Sequence, residues 1–407
     1  MTMRARLLLI AVGAMLLAAR PGDAREVVKF LAAQYSTATD PYWKAVEEAF
    51  ERENPDIDVQ IEVSYWKGLH DKITTLIGAK QQPDLAIIGT SWLPEYVQTG
   101  VARAIDDRLT SEVRERFVGD ILKGASLGGK TYGLPIATSV RALYYNKKLL
   151  ADAGVQPPEN WEQFREAARK LTQGRRVYGT AMPIHADDQG DQFTYFLWAA
   201  GGDWFDAQGN CTLNSPEAVE ALQFMVDLYK DKVTNPEPWA SNRDETQRLF
   251  LTGRAAMMMT GNFLVPIIEK EAPDLQYGVT AIPAHRKPGT LAITDTLVFF
   301  HRDGQNADAV WKFVDFAYRL EWREKFMKDE GMLPELKVLA EKLEKDPKWG
   351  VFVKLLPTAK FQPNHQDFVP ISQRLVKAVQ LALLGKETPQ AALDKAVEEI
   401  NRDFLKK

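Results

Sequence analysis

The sequence contains almost no cysteine and no long hydrophobic run beyond its first residues. Cys211 is the only cysteine among the 407 residues, so no disulfide forms within the chain and its fold must depend on its core. After the N-terminal segment, no stretch approaches the roughly 18 consecutive apolar residues that a membrane helix needs. These absences exclude a disulfide-stabilised scaffold and a membrane-embedded domain built from helices.

The sequence also lacks clusters of basic residues and any histidine or cysteine pattern typical of a metal site. Its net charge is −4, and its five histidines are scattered, without an H-E-x-x-H motif or a cysteine–histidine cluster. A mildly acidic chain without basic clusters is a poor candidate for binding nucleic acid. We therefore expect no metal site, no cofactor and no nucleic-acid partner.

The first 24 residues have the organisation of a secretory signal peptide. Arg4 and Arg6 precede an apolar run from Leu7 to Ala19, and Gly22-Asp23-Ala24 places small residues at the −3 and −1 positions of a cleavage site. At about 13 residues, the run is short for a retained membrane anchor. The sequence therefore predicts export to the periplasm, with a mature chain that begins at residue 25.

Strand and helix patterns alternate from the start of this mature chain. The apolar run at 27–33, the alternating residues at 57–63 and the short run at 85–88 predict strands, with amphipathic helices between them. Asp40-Pro41 predicts a helix N-cap followed by proline at the first helical position. This order favours a parallel sheet covered by helices, and the chain is long enough for two lobes.

Residues 124–131 formally match two catalytic motifs. GASLGGKT fits the phosphate-binding loop G-x-x-x-x-G-K-[ST], and its first five residues fit the G-x-S-x-G nucleophile elbow. Both motifs require a strand before the loop and a helix after it, whereas residues 112–122 indicate a helix and Tyr132-Gly133-Leu134-Pro135 cannot begin one. We interpret Gly128-Gly129 as the turn of a hairpin and expect neither nucleotide binding nor a nucleophilic serine.

An acidic loop in the middle of the chain has a role that the sequence leaves open. Asp187, Asp188 and Asp191 could act as paired acids or as calcium ligands. Solvated turn residues are the more common reason for such a cluster in a loop that contains glycine and glutamine.

Four stretches of the chain resemble the extracellular solute-binding proteins that include maltose- and trehalose-binding proteins. They are residues 83–88 with Gly100, residues 129–135 through 143–147 to Ala153-Gly154 and Trp161, residues 250–257 with Gly261, and residues 331–334. Their order and spacing match the family across nearly the whole mature chain. The resemblance implies an α/β, two-lobed periplasmic-binding-protein fold with hinge crossovers and a ligand cleft between the lobes.

The resemblance also implies a division of the chain and a function. Lobe one is expected to hold residues 25–137 with 286–333, and lobe two to hold 138–285 with 334–407. The protein is expected to be the substrate-binding protein of an ABC sugar importer and not an enzyme. As a monomer, it would capture a neutral sugar, a di- or oligosaccharide, and deliver it to the transmembrane subunits of an ABC permease.

Ligands of such sheets bind beyond the carboxyl ends of the strands, and a sugar site combines aromatic rings with a few oriented polar groups. The loops that follow strands and the resemblance together imply these ligand-binding candidates: Gln34, Tyr35, Trp66, Ser91, Trp92, Ser139, Arg141, Asp203, Trp204, Asn262, Phe263 and Asp295. Gln34 and Tyr35 depart from the maltose-binding pattern, which has charged groups there. Asp295 is expected either to accept hydroxyl protons or to cap a turn.

Three alternative functions remain open from the sequence. A binding protein for a polyamine would need several carboxylates facing the cleft, and one for glycerol phosphate would need arginines or exposed helix N-termini. A secreted glycoside hydrolase would need two carboxyl groups about 5–10 Å apart across the cleft.

Overall fold

The computed structural model describes residues 25–118, 121–363, 365 and 367–405, so the predicted signal peptide lies outside the described residues. The strands are β1 (Glu26–Gln34), β2 (Ile57–Tyr65), β3 (Leu85–Gly89), β4 (Ser126–Leu127), β5 (Lys130–Thr131), β6 (Gly133–Asn146), β7 (Tyr178–Ala181), β8 (Ala255–Gly261), β9 (Tyr277–Thr280), β10 (Thr290–Phe299) and β11 (Ala359–Phe361). Within these described ranges, no helix is both long and apolar enough to cross a membrane.

The helices alternate with these strands and follow them at the end of the chain. They are α1 (Thr39–Glu53), α2 (Leu69–Gly78), α3 (Leu93–Gln98), α4 (Ser111–Glu115), α5 (Ile121–Gly124), α6 (Lys147–Asp152), α7 (Trp161–Leu171), α8 (Asp191–Ala200), α9 (Pro216–Lys230), α10 (Arg243–Leu251), α11 (Leu264–Glu271), α12 (Ala307–Ala317), α13 (Leu320–Glu330), α14 (Lys337–Leu343), α15 (Gly350–Leu355), α16 (Phe368–Leu383) and α17 (Pro389–Ile400).

One sheet runs through both halves of the molecule, in the order β2-β1-β3-β10-β6-β8-β7. β1 is parallel to β2 and to β3, which confirms the predicted β-α-β-α-β unit. β10 is antiparallel to both β3 and β6, and β9 and β11 pair with β6 and β10 outside the main order. The predicted α/β fold class is therefore confirmed.

Two long strands join the two ends of this sheet. β6 pairs with β10 over residues 133–140 and with β8 over residues 141–145, so its two halves pair with different strands. β10 pairs with β3 over residues 295–299 and with β11 over residues 290–292. The sequence pattern predicted the strand only from Ala142, and the boundary expected between residues 137 and 138 falls inside β6. β6 and β10 are called the hinge strands below.

Separate hydrophobic cores lie on either side of the hinge strands. One core, from β1–β3, α1 and α12, includes Phe30, Trp43 and Phe313. Another, from α8, α9, α16 and α17, includes Trp198 and Phe368. Burial of a large apolar side chain contributes about 1.5–3 kcal/mol, so each lobe has its own source of stability. This division lets the strand-end loops of the two lobes meet at the hinge strands.

Two local predictions have different outcomes. Leu127 of β4 pairs with Lys130 of β5, and Gly128 and Gly129 have φ of 58° and 77°, which confirms the hairpin turn. The predicted cap at Asp40 is wrong. α1 begins at Thr39, two residues earlier than predicted, and has no side-chain cap, and Asp40 lies exposed in its first turn.

Candidate functional site

Three aromatic side chains follow the carboxyl ends of the parallel strands of lobe one. Tyr35 follows β1, Trp66 follows β2, and Trp92 ends the short 3₁₀ turn after β3. The Tyr35 and Trp66 ring centroids are 5.7 Å apart, the Trp66 and Trp92 centroids are 5.8 Å apart, and both contacts are edge-to-face. All three side chains are half-buried. We call them the aromatic row.

The outer end of the aromatic row is supported by a histidine that the sequence did not single out. The His70 ring lies edge-to-face against Trp92 with centroids 5.0 Å apart, and its Nε2 is 2.7 Å from Oε2 of Glu95. His70 belongs to α2 and Glu95 to α3. The packing of these two helices therefore fixes the orientation of the Trp92 ring.

The inner end of the aromatic row is joined to a hinge strand. The Tyr35 hydroxyl donates a hydrogen bond of 2.8 Å to Oδ2 of Asp295. Burial raises the pKa of Asp295 to about 7, against the opposing effects of the Tyr35 hydrogen bond and the Arg141 charge. Asp295 lies inside β10, so it does not cap a turn, which was the other expectation for it.

A buried arginine on the other hinge strand continues the polar surface towards lobe two. Arg141 of β6 donates to Oγ of Ser139 at 2.8 Å and to Oδ2 of Asp191 at 3.1 Å. Gln362 donates to the other Asp191 oxygen at 3.0 Å. Burial raises the pKa of Asp191, and the ion pair with Arg141 opposes this rise. Asp191 of the acidic loop is thus in contact with the candidate site.

Phe263, in the turn between β8 and α11, contributes a further aromatic ring. The guanidinium carbons of Arg141 and Arg243 lie 5.5 Å and 5.0 Å from its ring centroid. Its ring folds back over Gly261 so closely that a Cβ atom added there would be 2.2 Å from the ring. Arg243, at the first position of α10, was not predicted because nothing in its local sequence marks it.

Two predicted residues flank the aromatic row. Gln34 ends β1 and donates a hydrogen bond of 3.3 Å to the carbonyl oxygen of Ser36. Ser91 lies in the turn between β3 and Trp92, where Thr90 anchors the backbone by hydrogen bonds to the hinge strand β10. Both side chains are partly exposed.

Three other predicted residues have side chains engaged within the protein. Trp204 is 1% exposed, packs against Phe368 and donates from Nε1 to Thr194 at 3.1 Å. Asp203 accepts hydrogen bonds from the Trp198 indole at 2.9 Å and from Lys360 at 2.6 Å. The third residue is Asn262, with an exposure of 0%. Aromatic and amide side chains in loops can serve either packing or binding, and sequence position alone does not distinguish these roles.

The chain is similar to known proteins in sequence and in fold. Residues 35–324 match the profile of the family described as bacterial extracellular solute-binding protein. A binding protein of Brucella abortus is 38% identical over 395 residues, which cover 96% of this chain and 95% of the relative. The maltotriose-binding protein of Pyrococcus abyssi is 25% identical, over 86% of this chain and 76% of the relative.

A solved structure is similar over nearly the whole chain. The solute-binding protein of an ABC transporter from Thermotoga lettingae, bound with α-D-tagatose, has a TM-score of 0.84 and 26% identity. The match covers 93% of this chain and 99% of that one. With its two lobes and paired hinge strands, the chain belongs to the bacterial extracellular solute-binding protein family.

Proposed function

We propose that this protein captures a neutral sugar between its lobes and delivers it to the transmembrane subunits of an ABC importer. The observation that carries the proposal is a series of aromatic and polar groups at the hinge. Contacts run along the aromatic row to Asp295, the charge of Arg141 acts on the Asp295 carboxyl group, and Arg141 lies over the Phe263 ring. Rings that stack on the faces of a sugar and polar groups that bind its edges are what carbohydrate recognition requires.

The pairing of charges among these groups favours a neutral solute. Arg141 is held by Asp191, and Asp295 has a pKa of about 7 and a hydrogen bond from Tyr35. A polyamine would need carboxylates free to bind its ammonium groups, and a phosphorylated solute would need arginines without carboxylate partners. The paired groups can instead exchange hydrogen bonds with hydroxyl groups at little electrostatic cost.

The relatives support a sugar as the solute. One is named for maltotriose, and a structure of similar fold contains tagatose. These two names differ in chain length and sugar type, so the proposal extends to the sugar class and not to one compound. We further propose that the mature protein acts as a periplasmic monomer after cleavage of residues 1–24, and that binding closes the hinge without breaking a bond in the sugar.

A thermal-shift screen tests this proposal. The panel contains tagatose, maltose, maltotriose, mannobiose and diacetylchitobiose, with spermidine and glycerol 3-phosphate as charged alternatives. A bound solute at a hundredfold its Kd adds about 2.7 kcal/mol to the free energy of unfolding, so a binder should raise the Tm clearly. We expect at least one neutral sugar to do so and to be recovered chemically unchanged. Stabilisation by the charged solutes alone, or cleavage of an oligosaccharide, would contradict the proposal.

A further inference from the structure

Asn262 connects three segments of the chain at the hinge. Its side chain has an exposure of 0%, so it does not reach the cleft surface. Its Oδ1 accepts a hydrogen bond of 2.8 Å from the backbone N–H of Val140, and its Nδ2 donates one of 2.6 Å to the carbonyl oxygen of Gly331. Because one partner is a donor and the other an acceptor, the orientation of the amide is determined.

The first partner, Val140, lies just before the stretch of hinge strand β6 that pairs with β8. The pairing of β6 with β8 ends at Arg141 and Gly261, one residue away from Val140. The Asn262 oxygen therefore takes the place of a main-chain acceptor at the point where the two strands separate. The Val140 N–H would otherwise be buried without a partner, which proteins rarely tolerate.

The second partner lies in another segment that passes the hinge. Gly331 follows α13 and has a φ of +65°, and a Cβ atom there would be 2.5 Å from Pro266. Two residues further on, the N–H of Leu333 donates to the carbonyl oxygen of Thr138 in β6 at 2.8 Å. One residue earlier, Glu330 accepts a hydrogen bond of 2.6 Å from Thr39, at the start of α1 in lobe one. The segment 330–333 is thus attached to both lobes.

The position of Asn262 also determines that of its neighbour Phe263. The Tyr144 hydroxyl donates to the carbonyl oxygen of Gly261 at 2.9 Å, so the backbone is fixed just before Asn262. Asn262 is fixed as well, and the Phe263 ring folds over Gly261, where the absence of a side chain leaves room for it. The ring is then in the place where Arg141 and Arg243 approach it.

We propose that Asn262 is a positioning residue for the binding site. Its side chain attaches the β8–α11 loop to β6 and to the segment 330–333 by hydrogen bonds. It thereby keeps the Phe263 ring in a constant position relative to the hinge strands as the lobes open and close. This role rests on the proposed function insofar as the ring contacts a sugar, whereas the attachment of the three segments does not depend on any ligand.

The attachment is tested without ligand by hydrogen–deuterium exchange on the full mature chain. Asn262→Ala should speed exchange in peptides that cover 138–141 and 331–334 by about tenfold or more, while peptides from α9 exchange as in the wild type. Asn262→Asp keeps the acceptor for Val140 and should protect the first peptide more than Asn262→Ala does. If Asn262→Ala does not fold, Asn262→Asp is compared with the wild type, and faster exchange at 331–334 is expected. Unchanged exchange in both peptides would overturn the proposal.

The effect on Phe263 is tested by a double-mutant cycle of affinities for every panel sugar that the wild type binds. Asn262→Ala should weaken binding about tenfold, and Phe263→Ala should weaken it at least as much. The double variant should be no weaker than Phe263→Ala alone, because Asn262 acts through that ring. Additive losses would mean a general structural role and would overturn the positioning role. If the wild type binds no panel sugar, the proposed function fails. The attachment of the β8–α11 loop to β6 and to the segment 330–333 is then tested by the exchange experiment alone.

Discussion

The Tyr35 hydroxyl lies 2.8 Å from Oδ2 of Asp295, and this contact joins the end of the first strand of lobe one to the middle of a hinge strand. The two residues are 260 positions apart in the chain. The contact places a carboxyl group with a pKa of about 7 at the inner end of the aromatic row, where a bound hydroxyl group would meet it. The titration of this carboxyl group should therefore affect both stability and binding.

The stability of the protein should depend on pH through Asp295. Its pKa is about 7 in the folded state and about 3.9 in an unfolded chain, so between these values the folded state holds a proton that the unfolded state has lost. The contribution of Asp295 to the unfolding free energy is therefore greatest below pH 4 and decreases by up to about 1.4 kcal/mol per pH unit as the pH rises to 7. Urea titrations across this pH range should show the unfolding free energy of the wild type falling relative to that of Asp295→Asn, by up to about 1.4 kcal/mol per pH unit. The same pH dependence of unfolding free energy in both proteins would contradict this prediction.

Sugar binding should release protons near neutral pH. Hydroxyl groups that donate to the Asp295 carboxylate stabilise its ionised form and lower its pKa in the complex. Affinity should therefore weaken as the pH falls below 7, by at most about tenfold per pH unit. Calorimetry in buffers of different ionisation enthalpy measures the protons released, and Asp295→Asn serves as the control without the titrating group. A binding enthalpy independent of the buffer in the wild type would disprove the linkage.

Removal of a ring from the aromatic row should abolish or weaken sugar binding. Trp92→Ala removes the outermost ring and should eliminate the thermal shift, and Trp66→Ala should weaken affinity about tenfold or more, which is about 1.4 kcal/mol. Trp239→Ala is the matched control, because Trp239 is a partly buried tryptophan that contacts Tyr229 outside the row. Equal losses in Trp92→Ala and Trp239→Ala would show that the row is not the binding surface.

Substitution of Trp204 should change stability and leave affinity intact. Trp204→Phe removes the hydrogen bond to Thr194 and should lower the unfolding free energy by about 1–2 kcal/mol. Trp204→Ala also leaves a cavity and should cost about 3–5 kcal/mol. Affinity for the panel sugars, measured well below the Tm of each variant, should match the wild type. A loss of affinity in Trp204→Phe without a loss of stability would place this ring in the site.

The order of elements in lobe one could be predicted because local patterns of apolar and polar residues indicate each strand. Alternating and continuous apolar runs indicated β1, β2 and β3, and parallel strands bring their carboxyl ends to one edge of a sheet. Tyr35, Trp66 and Trp92 could therefore be expected near each other from the order of strands and loops in the chain. The first half of β6 was missed because it contains proline and is buried throughout, so it lacks the alternation that marks a half-exposed strand.

The sequence by itself determined the fold class, the hairpin at Gly128-Gly129 and the strand-end loops that carry the aromatic row, since each depends on residues close together in the chain. Tertiary structure alone decided the burial of Trp204 and Asn262, and it brought Gln362 to Asp191 across 171 positions. Burial and long-range pairing depend on which surfaces the folded lobes bring into contact. No local pattern of residue types encodes those contacts.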